Sequence, residues 1–121
     1  MDVTSRVVSR GGRHWFRFVA DADQDFVGLE IGSVGGESVV PSELTWPRWM
    51  ALRAAWDDRE RLWVASADTG VAVFVLDGAA WRRYAWEPGI DAAGRPPMQD
   101  LATGESVSWL MAEPPAELHL R

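Results

Sequence analysis

The sequence predicts an α+β fold, a curved antiparallel β-sheet of about six to seven strands with one main α-helix near residues 46–57 packed on it. Three observations predict it. Residues 61–86, RLWVASADTGVAVFVLDGAAWRRYAW, read as short strands joined by tight turns at Asp68-Thr69-Gly70 and Asp77-Gly78. Gly11-Gly12 separates two alternating runs and marks a hairpin. Trp49, Leu52 and Trp56 recur at i, i+3 and i+7, the spacing of one helix face. A small barrel or sandwich is the alternative arrangement of these strands.

Taken in order, residues 3–10 alternate loosely as a strand, and residues 14–20, HWFRFVA, return antiparallel to it. After the polar break DADQD, residues 26–34 form a third strand with Val27, Leu29 and Ile31 on one face. Val39-Val40 precede Pro41, which pushes them toward an extended edge. In the expected helix, Thr45 or Trp46 serves as cap, Pro47 suits the first turn, and Ala51, Ala54 and Ala55 add helix propensity. Residues 71–76 are apolar on both faces, as befits a central strand covered on both sides. Residues 87–96 are a loop. Residues 97–104 fit one or two helical turns between Pro97 and Gly104, and residues 106–112 fit either a strand or a short helix. The terminal AELHLR reads as a partly frayed tail.

The chain has 121 residues, 47% of them hydrophobic, which suits one compact domain over residues 1–121 with a core large enough to need no staples. No apolar run reaches the roughly 20 residues that span a bilayer. The opening MDVTSRVVSRGGRHW lacks the apolar stretch of a secretory signal, so a cytoplasmic location is expected. The absence of cysteine excludes disulfides, thiolate metal sites and thiol nucleophiles. All 12 basic residues are arginine, which excludes lysine Schiff bases and a P-loop lysine. Asparagine is also missing and isoleucine stands only at 31 and 90, which points to a GC-rich genome. The net charge is −6, and Arg6, Arg10, Arg13 and Arg17 face only Asp2 near the start, so the rest of the chain is still more acidic. Such a body repels nucleic acid and attracts a basic protein.

Few residues promise chemistry. Asp21-Ala22-Asp23-Gln24-Asp25 resembles the start of an EF-hand calcium loop, but Phe26 stands at the turn glycine and Gly32 at the bidentate glutamate, which leaves a solvated turn. His14 and His119 are the only imidazoles, too few for a histidine-centred metal or nucleophile site. Asp57, Asp58, Glu60 and Asp68 crowd the end of the expected helix and the next turn, with no spacing that implies paired acid–base work. No cofactor or metal is expected. The anomaly is tryptophan: Trp15, Trp46, Trp49, Trp56, Trp63, Trp81, Trp86 and Trp109 are more indoles than one small core readily hides. Trp49, Trp56 and Trp63 read as core. Trp46, Trp81, Trp86 and Trp109 are candidates for an interface, since tryptophan, tyrosine and arginine dominate binding hot spots and Arg82, Arg83 and Tyr84 lie among them.

The segment LWVASADTGVAVFVLDGAAW resembles a blade of the ligand-sensing β-propellers of bacterial regulators. A propeller needs several blades and this chain carries one such segment, so the resemblance implies shared hairpin chemistry and no function.

The expected function is that of a small acidic protein-binding domain, not an enzyme, that neutralises or inhibits a basic partner such as a toxin or nucleic-acid-active enzyme. A bacterial immunity protein is its most concrete form. Asp21, Asp23, Asp25, Asp57 and Asp58 would attract the partner, and Trp81, Arg82, Tyr84 and Trp86 would anchor it. The alternative is a small-ligand binder with Trp15, Phe16, Phe18 and Phe74 lining a pocket. Carboxylate catalysis with Arg17 or Arg53 holding an anion is a third reading. As a binding module the chain is expected to be a monomer or homodimer.

Overall fold

The computed structural model describes residues 5–20, 25–47, 51–67 and 70–120. Its regular secondary structure is almost wholly antiparallel strand. The first sheet joins β1 (Val7–Val8), β2 (His14–Ala20), β3 (Phe26–Ser33) and β4 (Ser38–Val39) in that order, and β5 (Trp46–Pro47) pairs with the other end of β3. The second sheet is a meander of β6 (Arg53–Trp56), β7 (Leu62–Ser66), β8 (Gly70–Asp77) and β9 (Ala80–Trp86). A two-stranded hairpin, β10 (Met98–Gln99) and β11 (Ser106–Val107), follows. Residues 108–110 then run along β9, with Ala85 bridged in parallel to Trp109. The chain closes through a 3₁₀ turn at Ala116–Leu118.

The sandwich alternative describes this architecture, and the α+β expectation does not. Among the described residues no α-helix occurs. Trp46 and Pro47 pair with Val27 and Phe26, and residues 53–56 pair with residues 62–65 of β7. Trp49 lies outside the described residues. The misreading has a physical cause. Leu52 and Trp56 are four apart, an even spacing that suits a strand as well as a helix. Ala54 lies between them on the same side, and all three belong to one core. The neighbour decides the matter. Every residue of β7 is buried, so its backbone groups find no water and need a strand on each edge. β8 supplies one and β6 the other, and this outweighs the helix propensity of three alanines.

Alternation then separates two cores. Phe16, Phe18, Val27, Leu29, Ile31 and Trp46 of the first sheet meet Leu52, Trp56, Leu62, Val64 and Phe74 around the second. Trp63, Val73 and Trp86 point to the far side of the second sheet and meet Leu118, flanked by Ile90, Leu110, Ala112 and Leu120. β8 is thus covered on both faces, as its apolar run predicts. Residues 116–120 do not stand free as a frayed tail. Leu118 is 2% exposed, and its carbonyl accepts a hydrogen bond from Arg53 Nη1 at 2.7 Å. Residues 97–104 form no helix, since Met98 and Gln99 pair with Val107 and Ser106, but residues 100–104 make a single turn in which the Gly104 N–H donates to the Asp100 carbonyl at 2.8 Å.

Four of the tryptophans act as ties. Their indole N–H groups donate to the Val7 carbonyl (Trp56), Asp57 Oδ2 (Trp63), the Ala112 carbonyl (Trp86) and the Pro96 carbonyl (Trp109), each at 2.8–2.9 Å. The apparent surplus of indoles is absorbed because each ring spans a boundary between segments and finds an acceptor there. Among the described residues no helix is long and apolar enough to cross a membrane.

Candidate functional site

The residues expected to bind a partner fall in three places. Asp25 is exposed beside Phe26 at the start of β3, while Asp21 and Asp23 lie outside the described residues. Asp57 and Asp58 stand together in the β6–β7 turn but differ sharply. Asp58 is exposed; Asp57 is 3% exposed and is consumed by the fold. Its carboxylate accepts bonds from the backbone N–H of Arg59 and Arg61, from Arg61 Nε and from Trp63 Nε1. Burial alone would raise its pKa, but these donors outweigh burial and hold the carboxyl below its ordinary value. Glu60 behaves alike: burial is offset by the Gly11 N–H, the Ser9 hydroxyl, Arg13 and His14, which clamps the β1–β2 turn against the β6–β7 turn.

The third place is β9. Trp81 is half-buried, with its ring 5.2 Å from His14, and Arg82 is exposed and ion-paired to Asp77 at 2.8 Å. Tyr84 is half-buried at the second core and Trp86 is 7% exposed. Arg83 points the other way and is buried against Asp100 at 2.8 Å and Glu105 at 3.3 Å. Burial opposes ionisation of Asp100, yet the Arg83 bond and the Thr103 and Ala102 N–H groups bring its pKa below the ordinary value. The shifted carboxyls, Asp57, Glu60 and Asp100, are therefore all held low, the opposite of what a general acid needs. Beyond Trp86 an open cleft of about 550 Å³ lies between residues 88–90 and 111–114.

The residues expected to line a ligand pocket, Trp15, Phe16, Phe18 and Phe74, are all buried, the phenylalanines in the inter-sheet core. Arg17 pairs with Glu30 at 3.1 Å and Arg53 holds the Leu118 carbonyl, so both arginines proposed as anion holders are engaged. Among the described residues no group of three His, Asp or Glu side chains is placed to hold a metal ion.

The outer face of the first sheet forms the remaining candidate, and sequence reasoning missed it. Apart from Arg6 over Trp15, nothing in the described chain covers it as residues 110–120 cover the second sheet. Val19, Phe26 and Val40 are 40%, 46% and 70% exposed around a groove of about 290 Å³. The groove is a gap in the ladder. β4 pairs with β3 at Ile31 and Gly32, and β5 pairs at Phe26 and Val27, so among the described residues no strand faces 28–30 on that edge. The chain leaves the ladder where Pro41 removes a donor and where the Ser42 hydroxyl takes the Leu44 N–H at 2.9 Å. Gly28 and Leu29 border the groove on one side, Val40 and Leu44 on the other, with the carboxylates of Glu30 and Glu43 among its walls. Its sequence signal was glycine inside a strand, at positions 28 and 32, which marks close approach or missing cover.

No protein-family model, curated protein or solved structure matches the chain.

Proposed function

We propose that this chain is a protein-binding module that takes its partner on the outer face of the first sheet. One observation carries the reading: the second sheet has a buried core on each face, whereas the first leaves Val19, Phe26 and Val40 exposed around a groove. Exposed apolar side chains collected at a groove mark interaction sites more than scattered ones do. The net charge of −6, with Glu43 exposed at the groove and Asp25 exposed next to Phe26, favours a basic partner, while Glu30 is spent on Arg17. A cytoplasmic inhibitor of the immunity type, bound to a basic toxin or nucleic-acid-active enzyme, is the concrete form of this reading. The acidic anchor shifts from Asp57, which is buried, to the carboxylates of this face.

The test is co-expression of the tagged chain with the product of the adjacent gene. Retention at low salt, release at high salt and loss in Phe26→Asp and Val40→Asp are the expected results. No retention, from a chain that sediments as a monomer, would overturn the reading. A dimer that dissociates in the same two variants would assign the face to a second copy instead.

The cleft beyond Trp86 favours a second reading, a small-ligand site, because about 550 Å³ lies within the range of ligand pockets. Quenching or shift of tryptophan emission by a ligand in the wild type, absent in Ile90→Asp, is its test.

A further inference from the structure

The outer face of β3 holds the same device twice, once filled and once vacant. Gly32 lies directly across the ladder from Trp15, and Gly28 lies directly across from Val19. At Gly32 the chain fills the space itself. A Cβ there would stand 2.3 Å from Trp15 Cε2 and Cζ2, so the indole rests on the bare glycine. The Arg6 guanidinium covers the other side of the ring at 4.1 Å from its centroid, and Trp15 is only 5% exposed although it sits on the outer face. An aromatic ring laid over a strand glycine recovers apolar burial that glycine lacks, and a guanidinium above it adds a cation–π contact.

At Gly28, which is half-buried, no side chain among the described residues takes that place. The nearest atom to a Cβ there is the Val19 carbonyl oxygen at 3.8 Å, and valine is too short to reach across. The groove opens at this point, lined by Gly28, Phe26, Val40 and Leu44, with Glu43 exposed at it and Glu30 already ion-paired to Arg17 at 3.1 Å. Its roughly 290 Å³ is at the small end of ligand pockets, matched to one large side chain more than to a whole cofactor.

We propose that the Gly28 groove is a socket for an aromatic side chain of the partner, carried beside a cationic residue that meets Glu43. The proposal rests on the protein-binding reading and names the chemistry of its anchor. The partner would repeat in trans what Trp15 and Arg6 do in cis at Gly32.

The test titrates the full ¹⁵N-labelled chain with three blocked dipeptides: N-acetyl-tryptophanyl-arginine amide, its tryptophanyl-glutamate counterpart, and alanyl-arginine. The first is expected to give saturable shifts of the Gly28, Glu30, Val40 and Leu44 amides. The second binds about fivefold more weakly, the change expected from reversing one exposed charge. The third gives no saturable shift. Val19→Trp supplies the missing ring from within, and Gly28→Val fills the floor at a site with room for a Cβ; both abolish binding while the core amides keep their shifts. No saturable shift at the groove, equal affinity for the first two peptides, or undiminished binding by both folded variants would overturn the proposal. Co-expression separates this from the reading it rests on. A partner retained equally by wild type and Val19→Trp sinks the socket and leaves the binding module. Dipeptide binding at the groove with no retained partner keeps the socket and sinks the module.

Discussion

Gly32 and Gly28 lie on the same face of the same strand, each opposite a residue of β2, yet Trp15 covers one and no side chain among the described residues stands over the other. The two sheets repeat that contrast on a larger scale. The second sheet turns Trp63, Val73 and Trp86 toward Leu118 and the chain that leads to it, while the first turns Val19 and Phe26 toward solvent. The β6–β7 turn repeats it between neighbours, with Asp57 enclosed by donors and Asp58 exposed. In each pair residue type alone does not distinguish the members. What distinguishes them is whether another part of the chain arrives to close the space.

The contrast can be broken first where closure is tightest. Asp57→Ala leaves the Trp63 N–H, the Arg61 side chain and two backbone N–H groups without their acceptor, and should cost about 4 kcal/mol by urea unfolding. Asp58→Ala should stay within about 0.5 kcal/mol. Equal losses would mean that the turn does not depend on the buried carboxylate. Next, Leu118→Ala should cost about 3 kcal/mol because it opens a cavity against Trp63 and Trp86, whereas Val40→Ala on the bare face should cost under about 0.5 kcal/mol. A small loss at Leu118 would show that the terminal segment detaches easily and that the second sheet is no better covered than the first.

A smaller effect separates the glycines. Gly32→Ala must displace the Trp15 ring and should cost about 2 kcal/mol, whereas Gly28→Ala meets no atom closer than 3.8 Å and should be neutral or stabilising by up to about 1 kcal/mol, partly through the unfolded chain. Thermal unfolding of the two single variants checks this directly.

The pH dependence sharpens the enclosed side of the comparison. Asp57, Glu60 and Asp100 have folded-state pKa values below their ordinary 3.8, 4.5 and 3.8. Depressed carboxyl values stabilise the folded state above the ordinary values, because there the unfolded chain binds no more protons than the folded one. As pH falls through the ordinary values the unfolded chain takes up protons first, and the stabilisation is lost progressively until the folded-state values are passed. Unfolding free energy should therefore be level near neutrality and fall from about pH 4.5 downward, the highest of these ordinary values. Asp57→Asn should flatten that decline and Asp58→Asn should leave it unchanged; an identical slope in both would remove Asp57 as a source.

Much of the strand order was legible before the fold was known. Turns at residues 11–12 and 77–78 lie where Gly12 and Gly78 adopt φ of 73° and 64°, conformations open to glycine at little cost. The inward set Val27, Leu29 and Ile31 followed from period-2 alternation, and the doubly covered β8 from its unbroken apolar run. The helix expectation failed at residues whose spacing suits both periods, where the demand for a partner to β7 settled the outcome. The candidate site was the least legible part. Trp81, Arg82, Tyr84 and Trp86 attracted attention by residue type, yet Trp86 is spent on the Ala112 carbonyl and the second core. The groove instead depends on the missing bulk of Gly28 and Val19 and on a detour at Pro41, features that no residue type announces.

By itself, then, the sequence determined the alternating strands, the glycine turns, the acidic charge and the exclusion of cysteine and lysine chemistry, because these are properties of local pattern and composition. Only the tertiary structure decided that residues 53–56 become a strand, that the last residues seal the second sheet, and that the face over Gly28 stays open. Those outcomes turn on which distant segment satisfies a backbone edge or covers an apolar face, and that is settled by contacts between residues far apart in the chain.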